Sequence, residues 1–117
     1  MSVLVAVADS KEGKAALTAA ISEAQQLNTS LVVLNLGLSA QTLTNVPDEV
    51  SVRTIERKGR ADRDPVDAVL DEIRADPDIQ RLVIGVKRRT PVGKALLGSV
   101  SQRLLLEVDV PVLAVKI

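Results

Sequence analysis

The stretch Arg81-Leu-Val-Ile-Gly-Val86, continuing Lys87-Arg-Arg-Thr-Pro-Val-Gly-Lys-Ala-Leu-Leu-Gly-Ser-Val-Ser101, decides how the rest of the chain is read. Its first six residues form a nearly unbroken apolar run. Continuous rather than alternating apolar residues mean that both faces of a strand are covered, as in a parallel sheet with helices on either side. A glycine-containing cationic connection follows, and Ser99 opens a helical pattern in which Val100, Leu104, Leu105 and Val108 share a stripe.

Three further segments repeat the buried-strand pattern: Val3–Ala8 (VLVAVA), Leu31–Leu36 (LVVLNL) and Pro111–Ile117 (PVLAVKI). Val50–Glu56 (VSVRTIE) has a wetter side and suits an edge. Between them, Lys11–Leu27 places Leu17, Ala20, Ile21, Ala24 and Leu27 on one helical face, with Ser10 as N-cap. In Asp64–Arg74 the stripe is Val66, Val69, Leu70 and Ile73, with Asp64 at the cap and Pro65 at the first helical position. Gln41–Asn45 has room for one short helical turn before Pro47. The order β-α-β-(short α)-β-α-β-α-β predicts an α/β fold: one open, doubly wound parallel sheet of five strands with right-handed crossovers and helices on both faces. The 117 residues fit a single domain over 1–117, and 46% apolar content supplies its core.

Composition removes whole classes of chemistry. There is no Cys and no His, hence no thiolate, no disulfide and no Cys-based metal site, and the commonest metal ligand and the usual general base near neutral pH are both missing. No catalytic residue and no metal site are therefore expected. There is no Phe, Tyr or Trp, so a bound base must lie against aliphatic side chains. Fifteen cationic residues balance fifteen acidic ones, which argues against nucleic acid or an anionic membrane surface as a partner. No apolar run approaches the roughly 20 residues of a membrane span, and no signal peptide precedes the first strand, so a cytoplasmic protein is expected.

In open parallel sheets, ligands sit beyond the carboxyl ends of the strands. That points to the turn after the first strand, Ala8–Ser10, and to the connection after Gly85. The second is not a P-loop, because the positions that would need Gly and Ser or Thr around Gly93-Lys94 hold Arg88 and Ala95. Nor is there a Gly-x-Gly after the first strand, where the sequence reads Ala8-Asp9-Ser10. A helix start rich in glycine and serine still suits an anion. Each feature also has a plain structural reading. Gly85 and Gly98 would permit tight packing, Ser99 and Asp9 would cap helices, and Lys87–Arg89 would be a solvated loop.

The pattern Gly85-x2-Arg88-x9-Gly98-Ser99-Val100-Ser101 resembles the nucleotide-binding motif of the universal stress protein family, Gly-x2-Gly-x9-Gly-[Ser/Thr], with Arg88 in place of its second Gly. The opening Val3–Ser10, the span Asp64–Gly85 and the ending Leu104–Val115 are similar to the same family, while Gly37–Glu49 is shorter than its usual second-helix region. The family's ATP-binding members carry an Asp where this chain has Ala8, with Asp9 one residue later. The resemblance implies the sheet order 3-2-1-4-5. It implies ATP or AMP as cofactor, held by Asp9, Gly85, Arg88, Gly98, Ser99, Val100 and Ser101, with Mg2+ only as carried by the nucleotide and at most slow hydrolysis. It also implies a homodimer through the apolar edge strand Pro111–Ile117. Two functions stay open: a nucleotide-binding stress-response regulator, and a dimeric adaptor of the same family that acts through protein contacts.

Overall fold

The computed structural model describes residues 1–8, 10–37, 46–56, 64–86 and 99–117, with Ser99 described by its backbone alone. Five strands and three helices alternate as β1 (Ser2–Val7), α1 (Lys11–Leu27), β2 (Ser30–Asn35), β3 (Val52–Glu56), α2 (Pro65–Ala75), β4 (Ile79–Val86), α3 (Ser99–Glu107) and β5 (Val112–Lys116). All strand pairs are parallel and the sheet order is β3-β2-β1-β4-β5, as expected. The short helical turn expected at Gln41–Asn45 lies outside the described residues.

The continuous apolar strands are explained by two cores. Alternate residues of β1 point to opposite faces. Val3, Val5 and Val7 meet Ala16, Leu17, Ala20 and Ala24 of α1 on one side. Leu4 and Ala6 meet Val66, Val69 and Leu70 of α2 and Leu104 of α3 on the other. Every residue of β1 is buried. The edge strand β3 instead is wet on both faces: half-buried Val52 and Ile55 pack against opposite cores, and Arg53, Thr54 and Glu56 are exposed.

Several boundaries and faces differ from the sequence reading. Strand β4 starts at Ile79, because its register against β1 slips by one residue between Ser2↔Ile79 and Val3↔Arg81, a bulge that periodicity does not reveal. Val50 is buried but precedes β3, held by a turn in which its N–H donates to the carbonyl of Pro47. Leu27 and Leu105, placed on buried stripes by periodicity, are each 37% exposed. Leu27 is the last residue of α1.

The helix ends follow their capping chemistry. The Ser10 hydroxyl accepts from the N–H of Gly13 at 3.1 Å. One oxygen of the Asp64 carboxylate accepts from the N–H groups of Val66 (2.8 Å) and Asp67 (3.4 Å), with Pro65 next in the chain. Helix α1 ends at Asn28, which adopts a left-handed conformation (φ 55°) and returns its N–H to the carbonyls of Ala24 and Gln25. An ion pair from Arg81 of β4 to Glu23 fastens α1 to the sheet.

A cavity where three helix N-termini meet

Strand β1 has β2 on one side and β4 on the other, so the chain reverses its direction of travel across the sheet between β1 and β4. Their helices leave to opposite faces and open a crevice beyond the strand ends. A cavity of about 290 Å³ lies there, at the small end of the roughly 300–1,000 Å³ usual for ligand pockets. Its floor comes from Ala6 and Ala8 at the end of β1 and Ile84 and Gly85 of β4. Ser10, Glu12 and Gly13 of the α1 start form one wall, and Leu36, just past β2, closes the back. Pro65 of α2 and Val100, Ser101 and Leu104 of α3 form the opposite wall. The lining is largely aliphatic, with Ser10, Glu12 and Ser101 as its polar side chains among the described residues.

Two glycines set how closely α1 approaches this floor. A Cβ on Gly85 would lie 2.0 Å from the carbonyl oxygen of Glu12 and 2.9 Å from its Cβ. A Cβ on Gly13 would lie 2.1 Å from the carbonyl oxygen of Ala8. Neither glycine has a left-handed φ, so the requirement is steric. The first turn of α1 is thereby pressed onto the ends of both β1 and β4.

All three helices point their N-termini at the cavity, and the sign of the local field differs among them. A helix start carries unpaired N–H groups and a partial positive charge that an anion stabilises by about 0.3–1 kcal/mol. At α1 that charge is already answered by the Ser10 cap and by Glu12 in the first turn. At α2 it is answered by Asp64 and Asp67. Helix α3 has no acidic residue in its first turn. The α3 start is therefore the end of the cavity best suited to a negative group, with the Ser101 hydroxyl beside it.

Arg103 of α3 joins the walls from outside. Its guanidinium pairs with Glu107 at 2.9 Å and with the Asp64 cap of α2 at 3.5 Å. The hydrogen bond and charge of Glu107, assisted by Asp64 and Asp67, hold its pKa above the ordinary arginine value. It is a brace between helices, charged at every physiological pH.

Of the residues expected at a site, Gly85, Val100 and Ser101 line the cavity. Ser99 begins α3, its side chain outside the described residues, as are Asp9, Arg88 and Gly98 in full. The sequence reading passed over Glu12, Gly13, Leu36 and Pro65 as lining groups. One signal for Gly13 was present: a glycine inside a helical pattern costs about 1 kcal/mol relative to alanine and implies a compensating close contact. Among the described residues no helix is long and apolar enough to cross a membrane.

Comparison with known proteins gives a consistent result. The sequence model of the Universal stress protein family matches residues 38–116. A universal stress protein of Mycolicibacterium smegmatis is 40% identical over 115 residues, which is 89% of this chain and 88% of that protein. Among solved structures, the universal stress protein of Archaeoglobus fulgidus superposes with a TM-score of 0.73 at 23% identity, covering 99% of this chain and 98% of that one. Universal stress protein UspA of Lactobacillus plantarum superposes with a TM-score of 0.68 at 16% identity, covering 98% and 97%. These two likenesses bear on the fold.

Proposed function

The chain belongs to the universal stress protein family, and from that premise we propose that it is a cytoplasmic stress-response regulator that binds an adenine nucleotide in the cavity between β1 and β4. The observation that carries the reading is the position and polarity of that cavity. It lies at the sheet's switch point, and α3, the helix with no acidic residue in its first turn, faces it. The phosphates would meet the first N–H groups of α3 and the Ser101 hydroxyl, with Arg88, Gly98 and Ser99 assigned to the same end by the family motif. Leu36, Ile84 and Ala6 would supply an aliphatic slot for the base, in keeping with a chain that has no aromatic residue. About 290 Å³ accommodates a base and sugar, with the phosphates extending along the start of α3. The role is binding rather than turnover. Any hydrolysis would be slow, since the chain has no His or Cys to activate water.

We further propose that two copies pair through β5. Among the described residues that strand ends the sheet, with β4 as its one neighbour. An open apolar edge invites a further strand. Leu113 is 37% and Ile117 44% exposed on or beside it. A monomeric mass by sedimentation at micromolar concentration would refute the pairing.

The nucleotide reading is tested by spectroscopy and calorimetry. With no Tyr or Trp the protein scarcely absorbs at 280 nm, so co-purified adenine nucleotide stands out near 260 nm. Saturable heat on titrating ATP, weakened by Ser101→Ala and abolished by Gly98→Val, is the expected result. No 260 nm band together with no heat would eliminate nucleotide binding and leave the adaptor role.

A further inference from the structure

Helix α3 has no acidic residue in its first turn, yet an anion at its start has a carboxylate for a neighbour. Asp64 caps α2 with one oxygen, Oδ1, which accepts from the N–H groups of Val66 and Asp67. The other oxygen, Oδ2, meets Nη1 of Arg103 on α3 at 3.5 Å. Pro65, the residue after Asp64, and Leu104, the residue after Arg103, both line the cavity. The pair therefore joins the two helices of one cavity wall, beside the end suited to a negative group. Asp67 also acts on Arg103 through its charge. Left unanswered, Asp64 and Asp67 would oppose an anion approaching the start of α3.

Arg103 is held ready to answer them. Side chains on a helix lean toward its N-terminus, so Glu107 reaches back one turn and accepts from Nε of Arg103 at 2.9 Å. That contact leaves Nη1 to face Asp64. Among the described residues no other cation pairs with Asp64. We infer that Arg103 is a positioning residue for anion binding: it holds the Asp64 carboxylate in an ion pair and so keeps the start of α3 open to the phosphates of a bound nucleotide, without touching them. This inference rests on the nucleotide reading above. Arg103 does not line the cavity, so it acts through Asp64. The two side chains are 47% and 44% exposed, and an exposed pair adds little to folding stability. Its removal leaves the fold in place and is read on the ligand.

The test is calorimetric titration of ATP, AMP and adenosine, all in EDTA, into the wild-type protein, Arg103→Met, Arg103→Lys, Asp64→Asn and the Asp64→Asn/Arg103→Met double variant. Asn caps a helix as well as Asp does, so Asp64→Asn removes the charge and keeps α2. Arg103→Met should weaken ATP binding about 5- to 20-fold, AMP less, and adenosine by less than about twofold, because the opposing force is Coulombic. Arg103→Lys, which keeps the charge, should retain most of the ATP affinity. Asp64→Asn should bind ATP at least as tightly as the wild type, and in that background Arg103→Met should cost less than about threefold. An equal loss from Arg103→Met in both backgrounds overturns the inference, because it makes Arg103 a direct partner of the phosphates. A loss as large for adenosine as for ATP does so too, since it identifies a mere support of the wall. Unchanged ATP affinity in Arg103→Met defeats this inference alone, whereas no binding of ATP by the wild type defeats the nucleotide reading with it. Melting curves of the variants close to wild type exclude misfolding as the cause.

Discussion

Replacing Gly85 with alanine should destabilise the protein severely, and the size of the effect follows from the contact it would create. The new methyl carbon would stand 2.0 Å from the carbonyl oxygen and 2.5 Å from the carbonyl carbon of Glu12. Ordinary non-bonded separation is roughly 3.5 Å, so more than about 1 Å must be recovered. The obstacle is backbone in the first turn of α1, which cannot rotate aside. Helix α1 must lift from β4 or the strand must bend. A lift of 0.5–1 Å forfeits about a quarter to a half of each dispersion contact along the interface. Ala16, Leu17, Ala20 and Ala24, all buried against β1, β2 and β4, would share that loss. Overpacking of a close-packed interior costs about 1–3 kcal/mol where side chains can adjust. With backbone as the obstacle, about 3 kcal/mol or more is expected, against a total stability of about 5–15 kcal/mol. For 117 residues the unfolding entropy is about 0.25 kcal/mol per K. The melting temperature should therefore fall by about 12 °C. Far-UV circular dichroism and differential scanning calorimetry suit the measurement, since the chain has no aromatic fluorophore. A Gly85→Ala protein that melts within about 2 °C of wild type yet loses nucleotide binding would refute the packing argument and give that glycine to the ligand instead.

The other stability predictions concern α1. Gly13→Ala would normally gain about 1 kcal/mol of helix propensity, but its methyl would meet the Ala8 carbonyl at 2.1 Å, so a net loss of at least about 1 kcal/mol by denaturant titration is expected and a gain would contradict the close approach. Asn28→Ala should cost about 1 kcal/mol, because a Cβ without a compensating polar group disfavours the left-handed cap, while Asn28→Gly should be neutral or stabilising. Equal melting temperatures for those two variants would show that the cap conformation does not matter.

The parts of the fold that were legible in the sequence share one cause. Burial on both faces leaves a strand few positions for a polar residue, with buried Asn35 hydrogen-bonded to Glu56 as the exception in β2, so VLVAVA and LVVLNL could be recognised from composition alone. Asp64-Pro65 marked a helix start because capping depends on neighbours in the chain. Features that depend on distant contacts were not legible. The bulge that starts β4 at Ile79 is a register relation with β1. Leu105 has the periodicity of a buried residue and is 37% exposed. At the candidate site, Gly85 and Ser101 drew notice through glycine and serine spacing. Glu12 resembled an ordinary acidic residue in a first helical turn, since nothing within a few residues of it reveals a cavity.

By itself, the sequence determined which segments are strands and helices, how they alternate and to which family the chain is similar. These properties are written in local periodicity, caps and motif spacing. Only the tertiary structure decided that three helix starts converge on one cavity and that Glu12 and Ser101 line the same space. It also decided that Gly85 and Gly13 are compelled by the carbonyl groups of Glu12 in α1 and of Ala8 just beyond β1. The physical reason is that sterics and electrostatics act through space. Whether a glycine is required depends on what the rest of the chain brings to within a few ångströms of it.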